Sequence, residues 1–286
     1  MESIPAELYP GFTRYMDNSS LYSLRLVSRA VEKKTFATFA DRKFEHLHIP
    51  LDIDGLRTVL GRLRTSKGED QGFRVKSITF CFNASGIWSA RQPREARMDE
   101  NIDDLLLKLI SKLGNVMRLS VFGWRVSDAA AAAAASSKLF RALVVKPLPK
   151  LAEVDLDGGM YCVRELQAFC SAHKGIQDFR MGHCRQHAGA CVWTDLFCTL
   201  QTDLTLRRFS IYRLYPHQDP TRSWSIYPYL VLSSVRTVRA VRNPNTSRLT
   251  YDHYVLRPEA ADMIGEVAVK AGMQKLLELH GVASAE

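Results

Sequence analysis

A short alternating motif, one apolar residue followed at the third and fifth positions after it by two more, returns six times along this chain and limits its fold more than any other feature. The copies are Phe44, Leu47, Ile49; Val75, Ile78, Phe80; Val116, Leu119, Val121; Leu151, Val154, Leu156; Ile176, Phe179, Met181; and Leu206, Phe209, Ile211. The last two residues of each copy lie two apart, the period of a strand with one buried face. Most segments between copies place apolar residues three and four apart, the period of a helix. A strand plus a helix every ~25 to 40 residues cannot bury its apolar side alone, but stacked on its neighbours it builds one continuous core. The pattern predicts an α/β fold with a parallel sheet, assembled by stacking and suited to presenting a surface.

Composition sets the class. A chain of 286 residues with 46% hydrophobic content has ample material for a packed core, in one large domain or two smaller ones. It has no run of about 18 uninterrupted apolar residues, and the opening MESIPAEL lacks the basic and apolar regions of a signal peptide. A cytoplasmic or nuclear location, or both, is expected, with no membrane contact. The cysteines Cys81, Cys162, Cys170, Cys184, Cys191 and Cys198 are spread through a chain large enough to fold without staples, so reduced thiols are expected.

The net charge of +9 is uneven: residues 201–250 carry eight Arg against two Asp, a net of +6, while residues 251–286 carry −3. Such an excess permits contact with a phosphate backbone. However, the arginines from Arg207 to Arg248 are scattered along strands and turns without aromatic interleaving or a reading helix. A solvated face is expected in preference to a nucleic-acid site.

Residues 4–49 read IPAELYPGFTRYMDNSSLYSLRLVSRAVEKKTFATFADRKFEHLHI. Pro5 suits a first helical turn, where its missing N–H is not needed, and Glu7 suits the positive end of a helix dipole. Pro10-Gly11 opposes a long first helix, because proline inside a helix costs about 3 kcal/mol. Asp17, Ser19 or Ser20 is placed to cap a second helix, in which Leu21, Leu24, Val27 and Val31 form one stripe. A helical module this small buries little, so some of its apolar surface is expected to seek the repeats or a partner.

The opening IPAEL with Pro5 and Glu7, the apolar Leu8, Phe12 and Met16, the Asp17-Asn18-Ser19 turn and the run LRLVSRA from Leu24 to Ala30 resemble the F-box domain of fungal F-box proteins. The resemblance extends over roughly residues 4–214. Its downstream part is similar to degenerate leucine-rich-type repeats and is less specific than the N-terminal part. It implies an F-box-like helical module at residues 1–43, an irregular leucine-rich-repeat-like solenoid at 44–240 and a C-terminal cap at 241–286. The module would dock on the adaptor subunit of a cullin-based, SCF-type ubiquitin ligase. Pro5, Leu8, Phe12, Leu21, Leu24 and Val27 would be divided between its own core and the docking face. The repeats would select a protein substrate of unknown identity, and the rival reading is a non-catalytic repeat scaffold that no longer binds the adaptor.

Between the strands, helices are expected at 53–63 (Ile53, Leu56, Val59, Leu60, Leu63), 102–113 (Leu105, Leu106, Leu109, Ile110, Leu113) and from the alanine run Ala129 to Ala135 through Leu139 and Leu143. Val163, Leu166, Phe169 and Cys170 mark the next helix, and Trp193, Leu196, Phe197 and Leu200 the one after. Ser127 and Asp128 are candidate caps for the alanine helix. The stretches 66–72 and 85–101 read as loops, the longer one projecting. Past Ile211 the rhythm fades: a weak seventh strand is expected around Val235 and Val238, then a helix from Pro258 to about Lys270.

Catalytic motifs are scarce. Asp52-Ile53-Asp54-Gly55 and Asp155-Leu156-Asp157-Gly158 resemble the nucleophile loop of haloacid-dehalogenase-type phosphatases, but neither is followed by Thr and both fall where a repeat strand turns into its loop. His183, Cys184, His187, Cys191 and Cys198 are rich in zinc-ligand types yet contain no CxxC pair. GxSxG, P-loop and GxGxxG patterns are absent from the sequence. No catalytic residue, metal or cofactor is expected.

If the motif residues point inward, their alternates line the other face of the sheet: His46, His48; Ser77, Thr79, Cys81; Arg118, Ser120, Phe122; Glu153, Asp155, Asp157; Asp178, Arg180; Arg208, Ser210, Tyr212. Its middle is acidic. Glu153, Asp155, Asp157 and Asp178 are expected to receive a basic segment of a protein partner, flanked by Arg180 and Arg208, with Phe122 and Tyr212 as apolar anchors.

Overall fold

The computed structural model describes residues 5, 8–64, 71–82, 101–123, 129–187, 191–215, 234–242, 249–257 and 260–279. Three helices open the chain: α1 (Tyr9–Thr13), α2 (Asn18–Arg25) and α3 (Arg29–Phe44). Strands and helices then alternate as β1 (His46–Pro50), α4 (Ile53–Arg62), β2 (Ser77–Cys81), α5 (Ile102–Ile110), β3 (Arg118–Phe122), α6 (Ala129–Val145), β4 (Glu153–Asp157), β5 (Met160–Tyr161), α7 (Val163–Ala172), β6 (Asp178–Gly182), β7 (Arg185–Gln186), α8 (Trp193–Asp203) and β8 (Arg208–Tyr212). Last come β9 (Ser234–Arg242), β10 (Leu249–Arg257), β11 (Ala260–Ile264) and α9 (Glu266–Leu279).

One nine-stranded sheet runs in the order β1-β2-β3-β4-β6-β8-β11-β10-β9. It is parallel from β1 to β8 and antiparallel beyond. β5 and β7 make a separate parallel pair. Each motif contributes two side chains to the ladder. Leu47, Ile78, Leu119, Val154, Phe179 and Phe209 are successive Cα partners on one rung line, and Ile49, Phe80, Val121, Leu156, Met181 and Ile211 on the next. All but Leu47 are buried, and they share one core with Leu56, Leu106, Leu109, Leu139, Leu166, Phe169, Phe197 and Leu200 from α4 to α8. Consecutive helices pack on one another from α4 through α9, covering that face of the sheet.

Local chemistry explains the helix boundaries. Asp52 caps α4, its carboxylate accepting from Gly55 N at 2.6 Å, which gives the first DxDG string a structural role. The second string turns the chain out of β4: Gly158 has φ +69°, and a side chain on the facing Gly123 would press into the Gly158 carbonyl. The alanine helix forms from Ala129, and its candidate caps Ser127 and Asp128 lie outside the described residues.

Pro5 opens a helical turn ahead of α1, its carbonyl accepting from Leu8 N three residues on at 3.2 Å. The first helix is short, as Pro10-Gly11 requires: α1 has five residues, with Pro10 in its first turn. Other expectations need correction. The stripe Leu21, Leu24, Val27, Val31 is not one helix: α2 ends at Arg25, and Ser28 starts α3 by accepting from Val31 N. The helix drawn from Pro258 fails most clearly. Residues 260–264 are strand β11, which pairs with β8 on one side and β10 on the other, and the helix begins only after Gly265 at φ +94°. Pairing with an open edge overrode a composition that locally favours helix. β10 was not foreseen, and β9 runs across the 240/241 division drawn from sequence.

His173, at the end of α7, is a buried polar link. Leu148 N donates to its Nε2 at 3.0 Å; Nε2 must therefore accept, so Nδ1 carries the proton and donates to the Phe169 carbonyl at 2.8 Å. Burial lowers its pKa, disfavouring the imidazolium. The unfolded chain thus binds more protons below about pH 6.5, so this stability is complete above that pH and is lost as pH falls through it. His173→Ala should cost about 1–3 kcal/mol by stranding the Leu148 N–H and should flatten the loss of stability between pH 7 and 5, read by denaturant titration. Phe179→Ala, at the centre of a rung line, should cost about 3–5 kcal/mol; a loss below 1 kcal/mol would contradict the stacked core.

Candidate functional site

The face of the sheet away from the helices carries the alternate residues in three register lines. The first is His46, Ser77, Arg118, Glu153, Asp178, Arg208; the second His48, Thr79, Ser120, Asp155, Arg180, Ser210, Asp262; the third Pro50, Cys81, Phe122, Asp157, Gly182, Tyr212. At ~4.8 Å per strand, the lines run about 24 Å from β1 to β8.

Every expected substrate-face residue lies on these lines, but the centre is not uniformly acidic. Arg118 Nε and Nη2 both lie 2.6 Å from Glu153 Oε2 in an exposed ion pair. Asp178 and Arg208 are register partners, as are Asp155 and Arg180. Burial raises the Asp155 pKa, the positive charge of Arg180 opposes that rise, and the negative charge of Asp157 adds to it. Parallel pairing thus sets acids beside arginines along the first two lines. Arg208 Nε is buried without a hydrogen-bond partner.

A second grouping closes the third line. Asp157 Oδ1 is 3.1 Å from His183 Nδ1, and the His183 ring meets Tyr212 edge-on at 5.1 Å. The Arg213 guanidinium stands over the same Tyr212 ring at 5.1 Å. His183 and Arg213 are the described non-glycine residues with positive φ, at 51° and 48°, each just past the end of its strand. Between Asp157 and Tyr212, Gly182 makes room for the Asp157 carboxylate, whose Oδ1 lies 3.0 Å from where a Cβ would stand, while Phe122 is half-buried on the far side of Asp157. His183, Arg213 and Asp262 were not among the expected site residues. The first two follow the strands directly and were legible in principle; Asp262 was lost to the misassigned helix.

In the N-terminal helices, Tyr9, Leu24 and Val31 form a small core of their own, with Phe12 and Met16 packed against it, and Leu21 is also buried. Arg42 donates to the carbonyls of Met16 and Thr13, tying α3 to the end of α1. Arg25 lies 3.8 Å from the Phe39 ring centroid and pairs with Glu32 at 3.0 Å. Pro5, Leu8 and Val27 are exposed, Leu8 at 60% and Val27 at 64%, beside Leu26 at 72%.

Among the described residues no group of three or more His, Cys, Asp or Glu is arranged to hold a metal ion. Burial raises the thiol pKa of both Cys170 and Cys184, and Cys184 Sγ–H donates to the Leu156 carbonyl at 3.4 Å; neither is a ready nucleophile. All six cysteines are free. No helix of the described residues is long and apolar enough to cross a membrane. No protein-family model matches this chain, and no curated protein matches it.

Because burial raises the Asp155 pKa, its ionised form costs stability at neutral pH, and that cost fades as pH falls through the folded-state value. Asp155→Asn should therefore leave the Tm at pH 7 equal to or above wild type, the difference shrinking toward pH 3. A clear drop at pH 7 would mean that Arg180 outweighs burial.

Proposed function

We propose that this chain is a non-catalytic substrate-recognition subunit of a cullin-based, SCF-type ubiquitin ligase, with an F-box-like module at its N-terminus and an irregular leucine-rich-type solenoid behind it. The observation that carries this reading is the pairing of a small helical unit, having its own core and exposed apolar side chains, with a sheet whose second face is largely polar and, among the described residues, covered by no helix. The six residues named for adaptor docking divide by burial. Leu21 and Leu24 hold the module together, Phe12 is half-buried, and Pro5, Leu8 and Val27 are available for the adaptor.

The substrate is a protein segment lying across the strands, its basic side chains toward Asp155, Asp157 and Asp178 and its apolar ones toward Phe122 and Tyr212. A span of about 24 Å accommodates roughly seven extended residues. Arg118, Arg180 and Arg208 add selectivity, because a uniformly basic segment would meet like charge at each of them. Ubiquitin-transfer chemistry belongs to the other subunits.

A pull-down with the purified adaptor tests the reading. Wild type should retain it, and Leu8→Asp and Val27→Asp should each reduce retention at least about tenfold with the Tm unchanged, since both side chains are exposed. Leu24→Asp should unfold the module. Failure of wild type to retain the adaptor would falsify the ligase reading and leave a repeat scaffold.

A further inference from the structure

A cleft of about 380 Å³ opens on another part of the molecule, where the end of α3 meets the turns that lead into β2, β3 and β4. Its charge is one-sided: Arg42, Arg74, Lys76 and Lys150 line it, and Glu45 is the one carboxylate among its lining residues. Two large apolar side chains stand open in the same cleft, Phe73 at 53% and Met117 at 47% exposure. Elsewhere along this end of the sheet the first residue of each motif, from Val75 to Ile176, is fully or almost fully buried.

The walls are tied together in advance. Lys150 Nζ donates to Asn115 Oδ1 at 2.7 Å, and Asn115 Nδ2 donates to the Phe73 carbonyl at 2.7 Å, joining the turns ahead of β4, β3 and β2. The Arg74 guanidinium lies 4.9 Å from the Phe73 ring centroid while its Nε donates to Gln71. Lys76 pairs with Glu45 at 3.0 Å and keeps over half of its side chain in solvent. This arrangement places an apolar floor under fixed cations, with little left to order on binding.

We propose that this cleft binds an acidic segment of a partner polypeptide, seating one apolar side chain on Phe73 and Met117 while flanking carboxylates meet Lys76, Arg74 and Lys150. Charge complementarity selects the occupant: four cations against one carboxylate favour an anionic chain, and the exposed Phe73 and Met117 require that it also carry an apolar group. From β2 to β4 the turns span ~10 Å, the length of roughly three extended residues, so the contact is a short linear segment. A concave, walled site suits a peptide better than a lipid surface does. The assignment does not rest on the ligase reading, because none of these residues belongs to the proposed adaptor surface.

The test uses the full chain and a fluorescent peptide of about ten residues, in which Asp and Glu flank a single Phe. Anisotropy should show binding that weakens about tenfold between ~50 and ~200 mM salt. A matched peptide with Lys in place of the acids should not bind. Phe73→Ser and Lys150→Glu should each weaken binding about tenfold at unchanged Tm, with Lys150→Gln intermediate and adaptor capture unaffected. Absent binding, equal binding of both peptides, or full affinity in both Phe73→Ser and Lys150→Glu overturns the proposal. So does sedimentation with phosphatidylserine vesicles, lost in those variants, by a chain that ignores the peptide.

Discussion

The structure depends on apolar side chains stacking in register across six parallel strands. Each strand is only five residues long and contributes two inward side chains, too little to hold a strand in place singly. Joined edge to edge, they form two unbroken lines against a row of helices, and nearly every member is buried. Parallel sheets are usually covered on both faces. Here all the helices from α4 to α9 belong to one layer, so among the described residues no helix covers the opposite face, and its polar residues inherit the spacing of the core. Core and surface are two readings of the same ladder.

That coupling explains what could be read in advance. The period-two motif located the six parallel strands to within a residue or two, because one buried and one open face imposes strict alternation. The helices after them were legible from the spacing of Leu105, Leu106, Leu109 and Ile110 and its counterparts. The tail was not. Ala261 and Met263 alternate inward as strand residues do, but the segment is rich in helix formers and its strand state is decided by β8 and β10, long-range neighbours that no local window contains. The break at Ser28 was hidden for the opposite reason, since Val27 and Val31 are four apart and imitate a continuous stripe although a side-chain cap separates two helices.

Site legibility follows the same division. Residues within the strands could be assigned to the polar face by counting, and the register lines bear out that assignment from His46 to Tyr212. Their electrostatics could not be counted off, because acid next to arginine arises between strands that lie some 25 to 35 residues apart in the chain, as for Arg118 with Glu153. The His183, Tyr212 and Arg213 grouping likewise arises from two left-handed residues at adjacent strand ends, a conformation that bulky side chains seldom reveal in their sequence.

The reversal of direction at β8 has a consequence for how such a chain can change in length. A unit added among β1 to β8 meets neighbours with the same polarity and offset, so duplication there extends the two apolar lines without altering their spacing. Beyond β8 the partner is antiparallel β11, and an inserted unit would have to displace a three-stranded meander together with the helix packed on it. Growth of the array is therefore open in its interior and blocked at this end.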